Sequence, residues 1–361
     1  MQKPSNPLRS LRSAANAAPT QVAETANTER LVGTGGAAGA HARSRPPLLT
    51  SRGGWILGGV ILLLLLTLPL FATGFVMTVL ILAEIGCILA LSLNLLYGYC
   101  GQVNFGVAGF YAIGAYSCVL LQRNLHISYF LALPLAVAAG TLAGAVTGIP
   151  LLRLRGHMLA LGTMAFSLAI YGYLGSGAEF TGGENGINSP DLFIFGKLMG
   201  DSFYYYFTLG GVILAFIFCR NVVGSKVGRA MKAIRDDEKV AEMSGINVFR
   251  YRLAAFVMNT TLAAFAGALL SEYTHWIGVD RFDISVNVLV LVMVCFGGLG
   301  SNVGALIGGA TLMSLPEILS TFQSYRALAT GLILILTLRF LPRGIAGALR
   351  QLLRLPPGAL G

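Results

Sequence analysis

The stretch FVMTVLILAEIGCILALSLNLL, Phe75 to Leu96, holds one carboxylate, Glu84, and no Lys, Arg or His in 22 residues. A hydrocarbon core about 30 Å thick needs about 20 mostly apolar residues in helical form, and this run supplies them without a break. A membrane barrel would show alternating segments of about ten residues instead. Helices are therefore the spanning element. Hydropathy read with turn and charge breaks extends the pattern outward to ten spans: Trp55 to Ala72, Phe75 to Leu96, Phe105 to Leu121, Tyr129 to Ile149, Met158 to Leu174, Phe203 to Cys219, Leu253 to Tyr273, Val286 to Phe296, Val303 to Leu319 and Ala327 to Leu338. Composition agrees: 55% of the 361 residues are hydrophobic and 11% charged, too little polar surface to cover a water-soluble globule. The 46 glycines suit closely packed membrane helices. The expected fold class is an all-α polytopic membrane protein of about ten transmembrane helices.

Placing the N-terminus in the cytoplasm and alternating puts 21 of the 25 Lys and Arg on the inner side, with Arg123, Lys197, Arg281 and Arg326 outside. Cytoplasmic loops are enriched in Lys and Arg, so the asymmetry predicts two cytoplasmic termini and an even span count. Residues 1–54 carry seven Lys/Arg, two acids and no hydrophobic periodicity, and read as a disordered basic cytoplasmic tail. Residues 55–345 form the transmembrane domain and 346–361 a cytoplasmic C-terminal tail. The apolar run at Trp55 starts too far into the chain for an ordinary secretory signal and is expected to remain as an anchor.

One inner segment, residues 220–252, is unlike the rest. Eleven of the chain's 40 charged residues lie between Lys226 and Arg252. Arg229, Lys232 and Arg235 recur every third residue and share one helical face, with Ala230, Ala233 and Ile234 on another. Asp236, Asp237 and Glu238 sit where carboxylates cap a following short helix, and Gly245, just past Ser244, is a natural stop. The segment is expected to be a protruding helix-turn-helix. Its basic face suits anionic lipid. The acids, among them Glu242, and the short apolar face of Val240, Ala241 and Met243 favour docking into a groove on another protein.

The sequence GRAMKAIRDDEKVAEMSGINVFRYRLAAFVMNTTLAAFAGAL, Gly228 to Leu269, resembles the coupling-loop region of ABC importer permeases, in particular the M-type inner-membrane permease subunits of branched-chain amino acid importers. Further landmarks of that family follow in order: LSLNLLYGYCGQVNFGVAGFYAIGAY (Leu91 to Tyr116), LLRLRGHMLALGTMAF (Leu151 to Phe166), TGGENGI (Thr181 to Ile187), FGGLGSNVGALIGG (Phe296 to Gly309) and LPRGIAGAL (Leu341 to Leu349). Lys239-Val240-Ala241 stands where the broader importer motif begins Glu-Ala-Ala. The resemblance implies a non-catalytic permease in a bacterial inner membrane. It implies a second homologous permease, two cytosolic ATPases that dock on the short helix from Val240 to Gly245, and an external binding protein. The external loop 176–202 would receive that binding protein. ATP and magnesium would be bound by the ATPases, with no cofactor in this chain, and branched-chain amino acids or related small amino acids and amides would be carried.

Gln102 and Asn104, in GQVNFG, put two amides between apolar runs. With Asn94 they are read as pivots at a helix break facing the path, or as polar tips of a plain turn. Asn259, Thr260 and Thr261 line the pathway or glue helices together. Glu84 has no Lys or Arg in any span to pair with and is expected to face the bundle; as a relay it would make the chain a proton-coupled carrier instead. Glu272 and Glu317, near span ends, are expected to reach an interface. The five cysteines show no CxxC pair and the four histidines no ligand spacing, so neither set signals a disulfide, a metal or an acid-base pair. TGGENG and GGLGSNVG lack the Lys-Ser/Thr of a phosphate loop. No nucleic-acid partner is expected.

Overall fold

The computed structural model describes residues 65–70, 74–154, 156–177, 181–190, 193–194, 197–198, 200–318 and 331. Of the expected first span only residues 65–70 are described, and of the last only residue 331. The tails 1–54 and 346–361 lie outside the described residues.

The described chain is mainly helical. Helix α1 (Gly74–Leu93) runs into a π-helical turn, Asn94–Gly98. There follow α2 (Val107–Leu125), α3 (Tyr129–Leu151), α4 (His157–Ser176) and α5 (Asp201–Gly224). Two short helices come next, α6 (Lys226–Asp236) and α7 (Glu238–Met243). The series closes with α8 (Val248–Tyr273), α9 (Ile284–Gly297) and α10 (Asn302–Ile318). Five of them are long and apolar enough to cross a membrane: α1 with its π-helical turn, α3, α4, α5 and α8.

Three expected spans are less regular. The third starts at Val107, after a non-helical stretch, and ends at Leu125. The eighth is α9, whose 14 residues rise about 21 Å, short of a hydrocarbon core. It follows a 3-10 turn, Val279–Phe282, that buries its two apolar ends, with Phe282 against the rings of Tyr111 and Tyr116 at centroid separations of 5.1 and 5.8 Å. The ninth, α10, has 17 residues.

Helix α8 is the central element, packed against α2, α3 and α1, while α1 also packs on α10 and α5. The seams are built from small residues. Along α3, Ala132, Ala136, Gly140, Gly144 and Gly148 recur every fourth residue and are buried, whereas Leu131, Leu135, Leu142, Val146 and Ile149 point outward. A Cβ at Gly144 would overlap the Thr260 hydroxyl on α8, so only glycine lets the two helices approach this closely. The same holds where Gly86 of α1 meets Gly309 of α10.

The two ends of the bundle are distinct. At one, β1 (Ile187–Asn188) pairs antiparallel with β4 (Trp276–Ile277), and the Trp276 indole donates to the Asn185 carbonyl at 3.1 Å. A second strand pair, β2 (Phe193–Ile194) with β3 (Lys197–Leu198), lies in the same connection between α4 and α5. Here Glu272 departs from expectation. It is buried, accepting from Gln122 Nε2 at 3.0 Å and Ser189 Oγ at 3.3 Å, because the β1 segment folds over the end of α8. At the other end Arg235 of α6 meets the turns at Gly98–Gly101 and Gly300.

Substituting Gly144→Val is expected to force α3 off α8 and to lower stability by about 1–3 kcal/mol, read as an earlier thermal transition of the purified chain in detergent. An unchanged transition would show that the seam gives way freely.

Candidate functional site

The charged segment folds as two capped helices. Ser225 caps α6, its hydroxyl accepting from the Val227 and Gly228 amides, and α6 buries Ala230, Met231 and Ile234. Asp237 caps α7: its Oδ1 accepts from the amides of Lys239 (2.8 Å) and Val240 (3.1 Å). Gly245 ends α7 with φ +81°, a conformation natural to glycine, and Ile246 N–H returns to the Ala241 carbonyl. Asn247 then caps α8. Three caps in one segment make a rigid turn of chain.

Side chains then fix how α7 sits. Glu238 pairs with Arg252 of α8 through two parallel bonds of 2.7 and 2.8 Å, and Ala241 is buried beneath α7. What α7 shows to the outside is Val240, 54% exposed, and Met243, 80% exposed, between the exposed charges Asp236, Lys239 and Glu242. Arg229 reaches back to the Gly224 carbonyl at 3.4 Å. Arg235, itself exposed, donates across to the carbonyl of Gly98. The Lys232 ammonium lies 5.4 Å from the Tyr99 ring centroid.

Inside the bundle the amides and hydroxyls form a connected set around the broken chain at Gly101–Gly106. Gln102 and Asn104 are 5% and 1% exposed, so this segment is not a plain turn with polar tips. Asn104 Oδ1 accepts from Gly106 N–H at 2.7 Å, and its Nδ2 donates to Asn259 Oδ1 at 2.7 Å. Asn259 Nδ2 donates onward to Ser92 Oγ at 3.3 Å. Thr163 Oγ1 accepts from Phe105 N–H at 3.0 Å, and Asn287 Oδ1 from Ala108 N–H at 2.8 Å, while Asn287 Nδ2 donates to Ser167 Oγ at 3.1 Å. Asn259 lies 11 residues along α8, about 17 Å from its start, and Ser167 ten residues along α4, about 15 Å. The break therefore sits deep inside the bundle.

The remaining sequence candidates separate by geometry. Asn94 is buried at the π-helical turn, accepting from Gly300 N–H at 2.9 Å and donating to Asn302 Oδ1 at 3.2 Å, so it staples α1 to the α9–α10 turn. Thr260 bonds within α8 and packs against Gly144, and Thr261 meets Thr141 of α3 at 2.9 Å; both act at the helix seam. Glu84 is buried in α1 with neither carboxylate oxygen hydrogen-bonded to a described residue. Sequence reasoning passed over Ser92, Thr163, Ser167 and Asn287. Their signal was a lone polar residue inside an apolar run, which in a membrane helix marks an inward face.

Comparison with known proteins follows the same outline. The family model described as branched-chain amino acid transport system / permease component matches residues 75–341. The high-affinity branched-chain amino acid transport system permease protein LivM of Salmonella typhimurium is 31% identical over 296 residues, covering 75% of this chain and 70% of the relative. LivM of Escherichia coli K12 is also 31% identical, over 297 residues, with the same coverage. LivH of Salmonella typhimurium is 26% identical over 286 residues, 72% of this chain and 90% of the relative. No solved structure matches the chain.

Asn104→Ala is expected to leave the Gly106 amide and the Asn259 carboxamide unsatisfied in the interior and to cost about 1–3 kcal/mol per stranded group. Thermal unfolding in detergent checks it; a transition within a degree of wild type would mean that water enters the break.

Proposed function

The chain belongs to the family of branched-chain amino acid transport permease components, and we propose that it is the transmembrane permease subunit of an ATP-driven importer. It passes branched-chain amino acids, or related small amino acids and amides, handed over by an external binding protein. A second homologous permease completes the path, as the likeness to both LivM and LivH proteins supports. Two cytosolic ATPases bind ATP and magnesium and do the hydrolysis, so this chain is a path and a lever without chemistry of its own. It sits in a bacterial inner membrane with ten spans and both termini in the cytoplasm. Loop 220–252 faces the ATPases, and loop 176–202 faces the binding protein.

The observation that carries this reading is α7. A six-residue helix, capped, clamped by the Glu238–Arg252 pair and presenting Val240 and Met243 to the outside, is a rigid apolar knob ringed by charge. Exposed ion pairs contribute only about 0.2–1 kcal/mol, so the clamp serves orientation more than stability. Closure of the ATPase pair on ATP moves the knob, and the bundle rocks between inward and outward access, a two-state element biased by ligand.

Val240→Asp with Met243→Asp is expected to strip the ATPases from the complex on co-purification from detergent, a loss of roughly 30-fold or more in affinity for buried apolar anchors. Retention of the ATPases by a folded double variant would sink the docking role. Glu84→Gln, which keeps the shape and removes the titratable proton, is expected to leave ATP-driven uptake in proteoliposomes within about twofold. Abolished uptake would put the proton-coupled carrier in its place.

A further inference from the structure

We propose that Arg235 is the positioning residue that carries movement of the α6–α7 lever into the broken interior of the bundle, by holding the carbonyl of Gly98 that the helix break leaves open. This rests on the reading of the chain as an ATP-driven permease. In a continuing α-helix the Gly98 carbonyl would accept from Gln102 N–H, four residues on. Here Gln102 N–H reaches back to the Leu96 carbonyl at 3.3 Å, Gly101 N–H takes Tyr97 at 3.1 Å, and Tyr99 N–H bonds Asn94 and Leu96. The Gly98 carbonyl receives none of these amides, and the Arg235 guanidinium supplies its donor. Arg235 thus holds the acceptor that Gln102 N–H would use in a continuing helix; to close another helical turn Gln102 N–H has to exchange the Leu96 carbonyl for that of Gly98, and Gly101 has to leave its φ of +74°.

Arg235 is exposed, but its side chain is packed against two turns. A Cβ at Gly101 would come 3.2 Å from Arg235 Cγ, and one at Gly300 would come 3.0 Å from Arg235 Nη1. Both glycines have positive φ, +74° and +76°, so side chain and turns are fitted to each other. Gly300 N–H in turn is held by Asn94 on the π-helical turn. From Gly101 the chain runs six residues to Gly106, through Asn104 and its bond to Asn259. A shift of α6 therefore bears at once on the end of α1, on the α9–α10 turn and on the segment threaded through the bundle. π-helical turns are rare inside α-helices and are frequent at functional sites.

The test uses the full complex, both permeases with both ATPases, in proteoliposomes with the binding protein, measuring uptake and ATP hydrolysis together. Arg235→Ala is expected to keep the ATPases bound and hydrolysing while uptake per ATP falls roughly tenfold. Arg250→Ala, which removes a neighbouring exposed cation that touches none of these turns, is expected to keep the wild-type ratio. Arg235→Lys keeps charge without the planar fork and is expected to fall in between; it decides the matter if the alanine chain fails to assemble. A wild-type ratio in Arg235→Ala or Arg235→Lys overturns the proposal, as does an equal loss in Arg250→Ala. Loss of the ATPases from Arg235→Ala makes the residue a docking contact and also overturns it. Absence of ATP-dependent uptake in the wild-type complex sinks the permease reading itself, a separate result.

Discussion

Backbone polar groups inside a membrane protein must find partners, and the whole interior is arranged around one place where the helix cannot supply them. Between Gly101 and Gly106 the chain is not helical; it buries Gln102, Asn104 and Gly106, and side chains take up the N–H groups of Phe105 (Thr163 of α4), Gly106 (Asn104) and, at the start of α2, Ala108 (Asn287 of α9). Each of these bonds is made in a low-dielectric setting where an orphaned amide costs several kcal/mol. The helices that carry the donors and acceptors are consequently fixed in rotation about their axes. The small-residue seams then set how close they come.

The same constraint bears on the charged segment between α5 and α8. A lever is useful only if it ends on something with two arrangements, and a helix terminus with a spare carbonyl is such an object. The three caps of Ser225, Asp237 and Asn247, the Glu238–Arg252 clamp and the buried Ala241 keep α6 and α7 stiff, as the proposed lever requires. Stiffness outside and a choice of hydrogen-bond partner inside are complementary requirements.

Much of this was legible in the residues. Long apolar runs located α1, α3, α4, α5 and α8, because a helix in lipid needs a length that nothing else in the chain needs. The acids at 236–238 and Gly245 marked α7, since capping is local chemistry. The breaks were harder. Phe105 and Gly106 are as apolar as the span that follows, and only the position of Asn104 against Asn259, 155 residues away, shows that the helix starts later. Glu272 was misread as facing an interface for a like reason: its partners, Gln122 and Ser189, are remote in sequence, and hydropathy carries no trace of them. Arg235, grouped with Arg229 and Lys232 by its period, parts from them only because a carbonyl on another helix lacks a donor.

The distance in sequence between these partners has a consequence for biogenesis. Asn104 meets Asn259 after 155 further residues and Asn94 meets Asn302 after 208. At synthesis rates of about 5–20 residues per second, Asn104 waits roughly 8–30 s for its companion to leave the ribosome. During that interval α2 to α5 follow α1 out of the ribosome, ahead of the helix that completes their polar interior. The nascent half-molecule therefore has to be sheltered, by the insertion machinery or by water in the unfinished cleft, until α8 arrives to close it.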